Sequence, residues 1–457
     1  MKVHLIAIGG SAMHNMAIAL QQKGFEVTGS DDEIFEPSKS RLAARGLLPA
    51  VEGWSEENIH AQLDAVIVGM HARGDNPELI KAKELGLRIF SYPEYIFEQS
   101  KEKIRIVIGG SHGKTSTTAM ILHVMKVCGM EYDYLVGAQL EGFDCMVKFS
   151  EEARYIVIEG DEYPSSPIDR RPKFHLYQPH IAVITGIAWD HINVFPTFEN
   201  YVQQFSVFID KVEIGGTLIY CDNDAVLQQL VTSHSSPVRR ISYTTHPHDI
   251  SQGVTRLNTS SGKVPISIFG DHNLQNLSAA LEVCKTIGID ESSFYSAIAS
   301  FKGAARRLEL VNHTIDHAVY KDFAHSPSKL KATTEALQKQ YPGRKLIACM
   351  ELHTFSSLNA NFLKEYFGSM TLADEAYVYF NPHTIEHKKL APITAAQVAE
   401  AFGGDNLRIY TNSSELRETL VRQSWDNTNL LLMTSGNFDG IDFLKLAKEI
   451  EPTKVQP

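Results

Sequence analysis

The fold is decided by the segment IRIVIGGSHGKT, residues 104–115. It starts as a short apolar strand, turns through glycines and ends in Gly-Lys-Thr, where a helical stretch (116–125) follows. A glycine-rich turn between a strand and a helix lets backbone N–H groups and the positive end of the helix dipole surround phosphate oxygens. Lys114 can neutralise the β- and γ-phosphates, and the Thr115 hydroxyl can bind Mg²⁺. The segment therefore predicts a nucleotide-phosphate loop, although Ile108 stands where the common motif has its first glycine.

On both sides of this loop, short apolar runs alternate with helical stretches, which predicts α/β layers and parallel sheets. Residues 222–262 are polar and rich in turn formers. The predicted strands form three series: 3–8, 25–29 and 65–70; 104–109, 154–160, 180–186 and 216–221; 319–323, 345–350, 375–380, 407–411 and 429–435. We therefore expect an α/β fold of three successive domains, residues 1–103, 104–305 and 306–457, the middle one a P-loop ATPase domain and the outer two Rossmann-like.

The composition is that of a globular enzyme, with 43% hydrophobic and 21% charged residues in 457. No apolar run approaches the roughly 20 residues that span a membrane, so we expect a cytoplasmic protein without membrane insertion. The net charge of -11 argues against nucleic-acid binding, but a local cationic pocket could still bind an anionic small molecule. Five scattered cysteines without a Cys-x-x-Cys pair suggest neither disulfides nor a zinc site. The sequence assigns no oligomeric state.

Acidic residues follow two strands of the middle series. Glu159, Asp161 and Glu162 come at the end of the strand 154–160, and Asp190-His191 follows the next strand. Such residues are often helix caps or surface groups. The carboxyl ends of parallel strands meet at one edge of the sheet, beside the phosphate loop. Acidic residues on two such strand ends therefore favour Mg²⁺ coordination here.

A second glycine loop, Gly9-Gly10-Ser11-Ala12-Met13, follows the first strand, and Asp31 follows the second. The interval is close to that of dinucleotide-binding folds, but the glycine spacing does not satisfy G-x-G-x-x-G. A nicotinamide-dependent oxidoreductase is therefore one alternative. It would leave the Gly-Lys-Thr loop unexplained.

Six motifs, in this order and spacing, resemble those of the Mur ligases: GSHGKTSTT, EGDE, DHINVF, GDHNLQNLSAA, AARRLEL and KDFAHSP. The resemblance extends over essentially the whole chain. The segments HLIAIGGSAM and GFEVTGSD further resemble the branch of this family that binds UDP-N-acetylmuramate. The resemblance implies a ligase that uses ATP and Mg²⁺ to join a UDP-linked carboxylic acid to an amine through an acyl phosphate.

The same resemblance implies roles for individual residues. The implied ATP-binding residues are Gly110, Ser111, His112, Gly113, Lys114, Thr115, Ser116, Asn273, Asn276 and Arg307. The implied catalytic residues are Lys114, Glu159, His191, Arg307, Asp322 and His325, and the implied metal ligands are Thr115, Glu159 and His191. The implied UDP-substrate site consists of Gly10, Ser11, Ala12, Met13, Asp31, His71, Arg73 and Asn76.

Two positions depart from the family pattern. Ala12 stands where a glycine is common, and Ser326 follows His325 where the family has a second histidine. No counterpart of the carbamylated lysine of some Mur ligases is present in the sequence, which fits the UDP-N-acetylmuramate branch. Because the implied site draws on all three domains, we expect closure about hinges near 101–105 and 302–308.

The amine substrate is the finer question. The long segment that begins with GDEY (160–195) and the C-terminal MTSGNFDGI resemble the branch that attaches the tripeptide L-Ala-γ-D-Glu-meso-diaminopimelate in peptidoglycan recycling. MELHTFSSLN is expected at the amine-side pocket. The alternative is an L-alanine-adding ligase of peptidoglycan biosynthesis. A slow ATP-hydrolysing regulatory module is disfavoured, because a switch needs only the phosphate site.

Overall fold

The structure is a computed structural model that describes residues 1–70, 72–137, 142–166, 169–189, 194–304 and 307–450. The chain forms two compact units. One consists of Met1–Ile187, Thr197–Thr244 and Ser278–Ala297, and the other of Ala188–Pro196, Thr245–Leu277 and Ile298–Pro457. None of the helices in the described ranges combines the length and hydropathy that a membrane crossing requires.

The first unit begins with a four-stranded parallel sheet in the order β2-β1-β3-β4. Its elements are β1 (Lys2–Ile6), α1 (Ser11–Gln22), β2 (Glu26–Ser30), α2 (Ser38–Ala43), β3 (Ala65–Val68), α3 (Pro77–Glu84), β4 (Ile89–Ser91) and α4 (Tyr92–Gln99). The central strands β1 and β3 are buried almost throughout. This is typical of a parallel sheet that is covered on both faces.

The same unit continues with a seven-stranded sheet in the order β11-β10-β9-β5-β8-β6-β7, in which only β6 and β7 pair antiparallel. Its elements are β5 (Ile104–Gly109), α5 (Lys114–Val127), β6 (Tyr132–Leu135), β7 (Val147–Lys148), β8 (Tyr155–Glu159), β9 (Ile181–Ile184), α6 (Phe198–Asp210), β10 (Thr217–Cys221), α7 (Ala225–Ser233) and β11 (Arg239–Tyr243). Strand β5 lies between β8 and β9, so the chain order reverses there. Ligands of open α/β sheets bind at such a point, beside the carboxyl ends of the strands.

The following segment forms a three-stranded antiparallel sheet and two helices: β12 (His248–Ser251), β13 (Val254–Thr259), β14 (Gly262–Ile266), α8 (Asp271–Thr286) and α9 (Glu291–Ile298). The second unit then builds a six-stranded sheet in the order β15-β16-β20-β17-β18-β19, antiparallel only between β15 and β16. Its elements are β15 (Glu309–His313), β16 (Ala318–Asp322), α10 (Pro327–Gln340), β17 (Lys345–Leu352), α11 (Ala360–Leu363), β18 (Glu375–Phe380), α12 (Pro382–His387), α13 (Ala395–Phe402), β19 (Leu407–Tyr410), α14 (Ser413–Val421), β20 (Thr428–Met433) and α15 (Phe443–Glu449).

The predicted α/β class and its three series of strands are confirmed, whereas the domain boundaries at 103/104 and 305/306 stay predictions. The account of residues 222–262 as polar, turn-rich sequence was incomplete. This region holds α7, β11, β12 and β13. In β13 the buried residues Thr255 and Leu257 alternate with more exposed ones. A strand buried on one face therefore lacks the continuous apolar run that revealed the others.

Candidate active site

The phosphate loop is built on glycines at its two ends. Gly110 has φ 126°, and a Cβ added there would lie 2.1 Å from Thr185 Oγ1, so only glycine fits. Gly113 precedes α5 with φ 80°. The backbone N–H of Ser111 donates to the carbonyl of Gly186 at 3.0 Å. The loop is thus held between the ends of β5 and β9, with the start of α5 behind it.

Lys114 lies inside this loop as a charged group. Its Nζ donates to the Gly110 carbonyl at 2.5 Å and to Glu162 Oε2 at 2.7 Å. Burial would lower the pKa of Lys114, but the carboxylates of Glu162, Asp161 and Glu159 outweigh it, and the pKa is raised above its ordinary value. The loop therefore presents a positive charge at neutral pH.

The candidate metal ligands Thr115 and Glu159 are in direct contact. The Thr115 hydroxyl donates to Glu159 Oε1 at 2.8 Å, and the Gly137 N–H donates to Glu159 Oε2 at 3.0 Å. A hydroxyl and a carboxylate beside a phosphate loop suit Mg²⁺, which takes one or two protein oxygens and completes its shell with phosphates and water. No group of three or more His, Cys, Asp or Glu side chains arranged for a metal occurs in the described part of the chain. The candidate ligand His191 lies outside the described residues.

The first glycine loop is fixed by a buried carboxylate. Asp31 is fully buried, and its Oδ2 accepts the Gly9 N–H at 2.7 Å. A Cβ on Gly9 would lie 2.8 Å from that oxygen. Asp31 thus holds the turn between β1 and α1, and its predicted proximity to a uridine stays a prediction.

Among the described residues, the other members of the expected UDP site follow the ends of β1 and β3. Ser11 and Ala12 are exposed at the start of α1, and Met13 is buried beside them. Asn76 is buried and caps α3, its side chain accepting the Leu79 N–H at 3.0 Å. Two more members of the predicted set are Arg73, which is exposed, and His71, which lies outside the described residues.

In the second unit, the end of β16 brings three predicted residues together. Asp322 Oδ1 accepts the Leu308 N–H at 3.2 Å, which holds the Arg307 segment against the strand. The guanidinium of Arg307 lies 5.2 Å from the centre of the Phe323 ring, within range of a cation–π interaction. His325 Nδ1 lies 3.0 Å from the Phe323 carbonyl oxygen. Arg307, Asp322 and His325 therefore form one cluster.

The start of α8 adds residues to this unit. Asn273 and Asn276 are both buried, and Asn273 Nδ2 donates to the Phe269 carbonyl at 2.9 Å. Between Gly270 and Asn273 lies His272, which sequence reasoning missed although it is part of the GDHNLQN motif. Burial lowers the pKa of His272, and its charged neighbours Asp322, Asp271 and Arg307 act on it in opposite senses. His272 therefore lies within electrostatic range of the β16 cluster.

A glycine loop with a charged lysine and a Thr–Glu pair beside it is the arrangement expected of an α/β enzyme that uses a nucleoside triphosphate and Mg²⁺. Three family models match the chain: "Mur ligase family, catalytic domain" at residues 2–103, "Mur ligase middle domain" at 108–284 and "Mur ligase, glutamate ligase domain" at 306–436. The chain belongs to the Mur ligase family. It is an ATP-dependent ligase that forms amide bonds.

Individual relatives match this chain over most of its length. A UDP-N-acetylmuramate–L-alanine ligase from Caldicellulosiruptor bescii is 30% identical over 91% of this chain and 89% of its own. A UDP-N-acetylmuramate–L-alanyl-γ-D-glutamyl-meso-2,6-diaminoheptandioate ligase from Escherichia coli is 27% identical over 96% of both chains. Among solved structures, a murein peptide ligase from Psychrobacter arcticus shares the fold, with a TM-score of 0.63, 22% identity and 98% coverage of both chains.

Proposed function

We propose that this ligase joins UDP-N-acetylmuramate to the tripeptide L-Ala-γ-D-Glu-meso-diaminopimelate, in peptidoglycan recycling. The choice of amine rests on the carboxyl edge of the six-stranded sheet. Two segments singled out in the sequence follow adjacent strands at this edge. MELHTFSSLN, expected at the amine-side pocket, lies at the end of β17, and MTSGNFDGI, which resembles the tripeptide-attaching branch, lies at the end of β20.

Glu351 joins these two segments. It is 3% exposed, and its Oε2 accepts the hydroxyl of Thr434 and the N–H of Phe438, the latter at 2.9 Å. The Thr434 N–H in turn donates to the carbonyl of Asp322 at 3.0 Å. The contacts of Glu351 thus connect the expected amine-side segment to the strand end that carries Asp322.

The surface beside Glu351 offers groups that suit a peptide. Phe355 is 55% exposed, and Lys388 Nζ lies 4.5 Å from the centre of its ring. His353 Nδ1 lies 3.7 Å from Glu351 Oε1. A tripeptide with several carboxylates and an extended backbone can use an aromatic face and a cation away from the reacting amine, whereas L-alanine is too small to need them.

The chemistry requires a better leaving group than hydroxide on the substrate carboxylate. In the proposed sequence the muramyl carboxylate attacks the γ-phosphorus of ATP, which gives an acyl phosphate and ADP. The amine nitrogen then attacks the carbonyl carbon, and inorganic phosphate leaves as the nitrogen loses its proton. In this proposal Lys114 supplies positive charge to the phosphates, and Arg307 has the role that the family resemblance implies for it. Mg²⁺, when bound, adds charge at the phosphate oxygens.

The alternative function is that of a UDP-N-acetylmuramate–L-alanine ligase. The observation that favours it is the 30% identity to the Caldicellulosiruptor bescii enzyme of that name. The same Lys114, Thr115 and Glu159 would serve both reactions, so the phosphate site does not discriminate between them.

The deciding experiment is phosphate release with ATP, Mg²⁺ and UDP-N-acetylmuramate, in which the tripeptide is compared with L-alanine at equal concentration. We expect stimulation by the tripeptide, and a UDP-muramyl-tripeptide product by mass spectrometry. Stimulation by L-alanine alone would establish the alternative. A variant with Lys388→Ala should raise KM for the tripeptide and leave KM for ATP unchanged. An unchanged KM for the tripeptide would remove Lys388 from the proposal.

A further inference from the structure

A chain of hydrogen bonds at the phosphate loop involves Glu162, the last residue of the EGDE motif, and Tyr201, which lies in none of the six motifs. Glu162 is fully buried, and its Oε2 accepts from Lys114 Nζ at 2.7 Å. Its other oxygen, Oε1, accepts the hydroxyl of Tyr201 at 3.2 Å. Tyr201 is fully buried on α6, and its hydroxyl lies 2.7 Å from Ser111 Oγ. The chain therefore runs from Lys114 through Glu162 and Tyr201 to Ser111, from one end of the loop back to the other.

A buried carboxylate needs a partner, so a purely structural ion pair is the first explanation to weigh. The pair of Lys103 and Asp133 in the same unit is an example, with Nζ 3.0 Å from Oδ2. Lys103 also donates to the carbonyls of Ser150 and Ala153, at 2.8 and 2.6 Å, so three acceptors surround its ammonium group. Each of the three N–H groups of Lys103 therefore has an acceptor of its own nearby.

Lys114 differs from Lys103 in this respect. An ammonium group has three N–H donors. Within the described residues, Lys114 donates to two acceptors, the Gly110 carbonyl and Glu162. Its side chain keeps 15% exposure, against 9% for Lys103. Two fixed acceptors set the orientation of the ammonium group and leave a third donor for an anion in the loop.

We propose that Glu162 and Tyr201 are positioning residues of the phosphate loop. Glu162 sets the direction of the Lys114 ammonium group, and Tyr201 couples Glu162 to Ser111, so that loop and lysine adopt the phosphate-binding geometry together. This inference rests on the assignment of Lys114 to phosphate binding. It does not depend on which amine is the substrate.

The test uses the full-length chain and titrates MgADP by calorimetry, with steady-state kinetics in parallel. Glu162→Gln keeps an oxygen for Lys114 but removes the charge, and Tyr201→Phe removes only the hydroxyl. We expect affinity for MgADP to fall about 10-fold or more in Glu162→Gln and about 3- to 10-fold in Tyr201→Phe, since hydrogen bonds to charged groups are the stronger ones. KM for ATP should rise correspondingly, and KM for UDP-N-acetylmuramate should not change. The loss of MgADP binding free energy in the double variant should be smaller than the sum of the two single losses, because Glu162 and Tyr201 share one hydrogen bond.

Asp133→Asn is the matched control, because it neutralises a buried carboxylate that faces a buried lysine outside the loop. It should lower the melting temperature and leave MgADP affinity at the wild-type value. If Glu162→Gln and Tyr201→Phe behave like this control, the positioning role is refuted. Tyr201→Phe decides alone if Glu162→Gln does not fold. Lys114→Ala is measured beside them. Unchanged MgADP affinity in that variant would overturn the assignment of the loop to phosphate binding. Lower MgADP affinity in Lys114→Ala, with wild-type affinity in Glu162→Gln and Tyr201→Phe, would overturn only the positioning role.

Discussion

Replacing Lys114 with alanine should affect stability and activity for two separate reasons. Glu162 is fully buried and pairs with Lys114 at 2.7 Å. Removing one partner of a buried ion pair leaves an uncompensated charge, which costs about 3–5 kcal/mol. The same substitution removes a positive charge from the phosphate site, which should lower turnover by about 10²- to 10³-fold or more. We therefore expect Lys114→Ala to be both less stable and nearly inactive.

A second substitution separates the two effects. In Lys114→Ala/Glu162→Gln the buried charge is gone, so more than half of the lost unfolding free energy should return, while turnover stays at the level of the single variant. Urea denaturation measures the first quantity, and phosphate release measures the second. Wild-type stability of Lys114→Ala would refute the buried ion pair. Recovery of turnover in the double variant would show that the lysine charge is not needed.

Three further predictions concern separate parts of the first unit. Gly110→Ala should lower the free energy of unfolding by at least about 1–3 kcal/mol in urea denaturation, because alanine is strained at this φ and its Cβ would lie 2.1 Å from Thr185 Oγ1. Thr115→Ala should raise the Mg²⁺ concentration needed for half-maximal rate about 10-fold, whereas Thr115→Ser, which keeps the hydroxyl facing Glu159, should stay near wild type. Burial tends to raise the pKa of Glu78, but its hydrogen bonds outweigh this and lower the pKa below 4.5. The contribution of ionised Glu78 to the free energy of unfolding is thus complete above pH 4.5 and is lost as the pH falls through the lower pKa of the folded state. The difference in unfolding free energy between wild type and Glu78→Gln should therefore shrink in acid denaturation.

The parts of the fold that the sequence predicts well are those buried on two faces. Strands such as 104–109 and 345–350 are predominantly apolar, and in the structure they are the centrally placed β5 and β17. The antiparallel strands between residues 248 and 266 were missed for the opposite reason. They are short and buried on one face at most, and their polar residues resemble those of turns.

Some parts of the candidate site could likewise be predicted from the sequence, and others could not. The loop itself could be predicted, because glycines with positive φ, a lysine and a threonine must follow one another directly in the chain. Its supporting partners could not, because Tyr201 and Ser111 are 90 residues apart in sequence. A tyrosine in an amphipathic helix also has the pattern of any core residue. Only the folded chain brings that hydroxyl to Ser111 and Glu162.

Several residues expected to bind ligands already make structural contacts. Asp322 accepts the Leu308 N–H with one oxygen and the Thr333 hydroxyl with the other, at 3.2 and 2.7 Å. A carboxylate has about four lone-pair sites, so these two bonds orient Asp322 and still leave it able to accept from a substrate. Asp322→Ala would remove the structural hydrogen bonds and the expected substrate contact together, so that variant could not assign a catalytic role. Asp322→Asn retains the shape and the acceptor oxygen, so a loss of turnover in that variant at unchanged stability would assign the charge itself to the reaction.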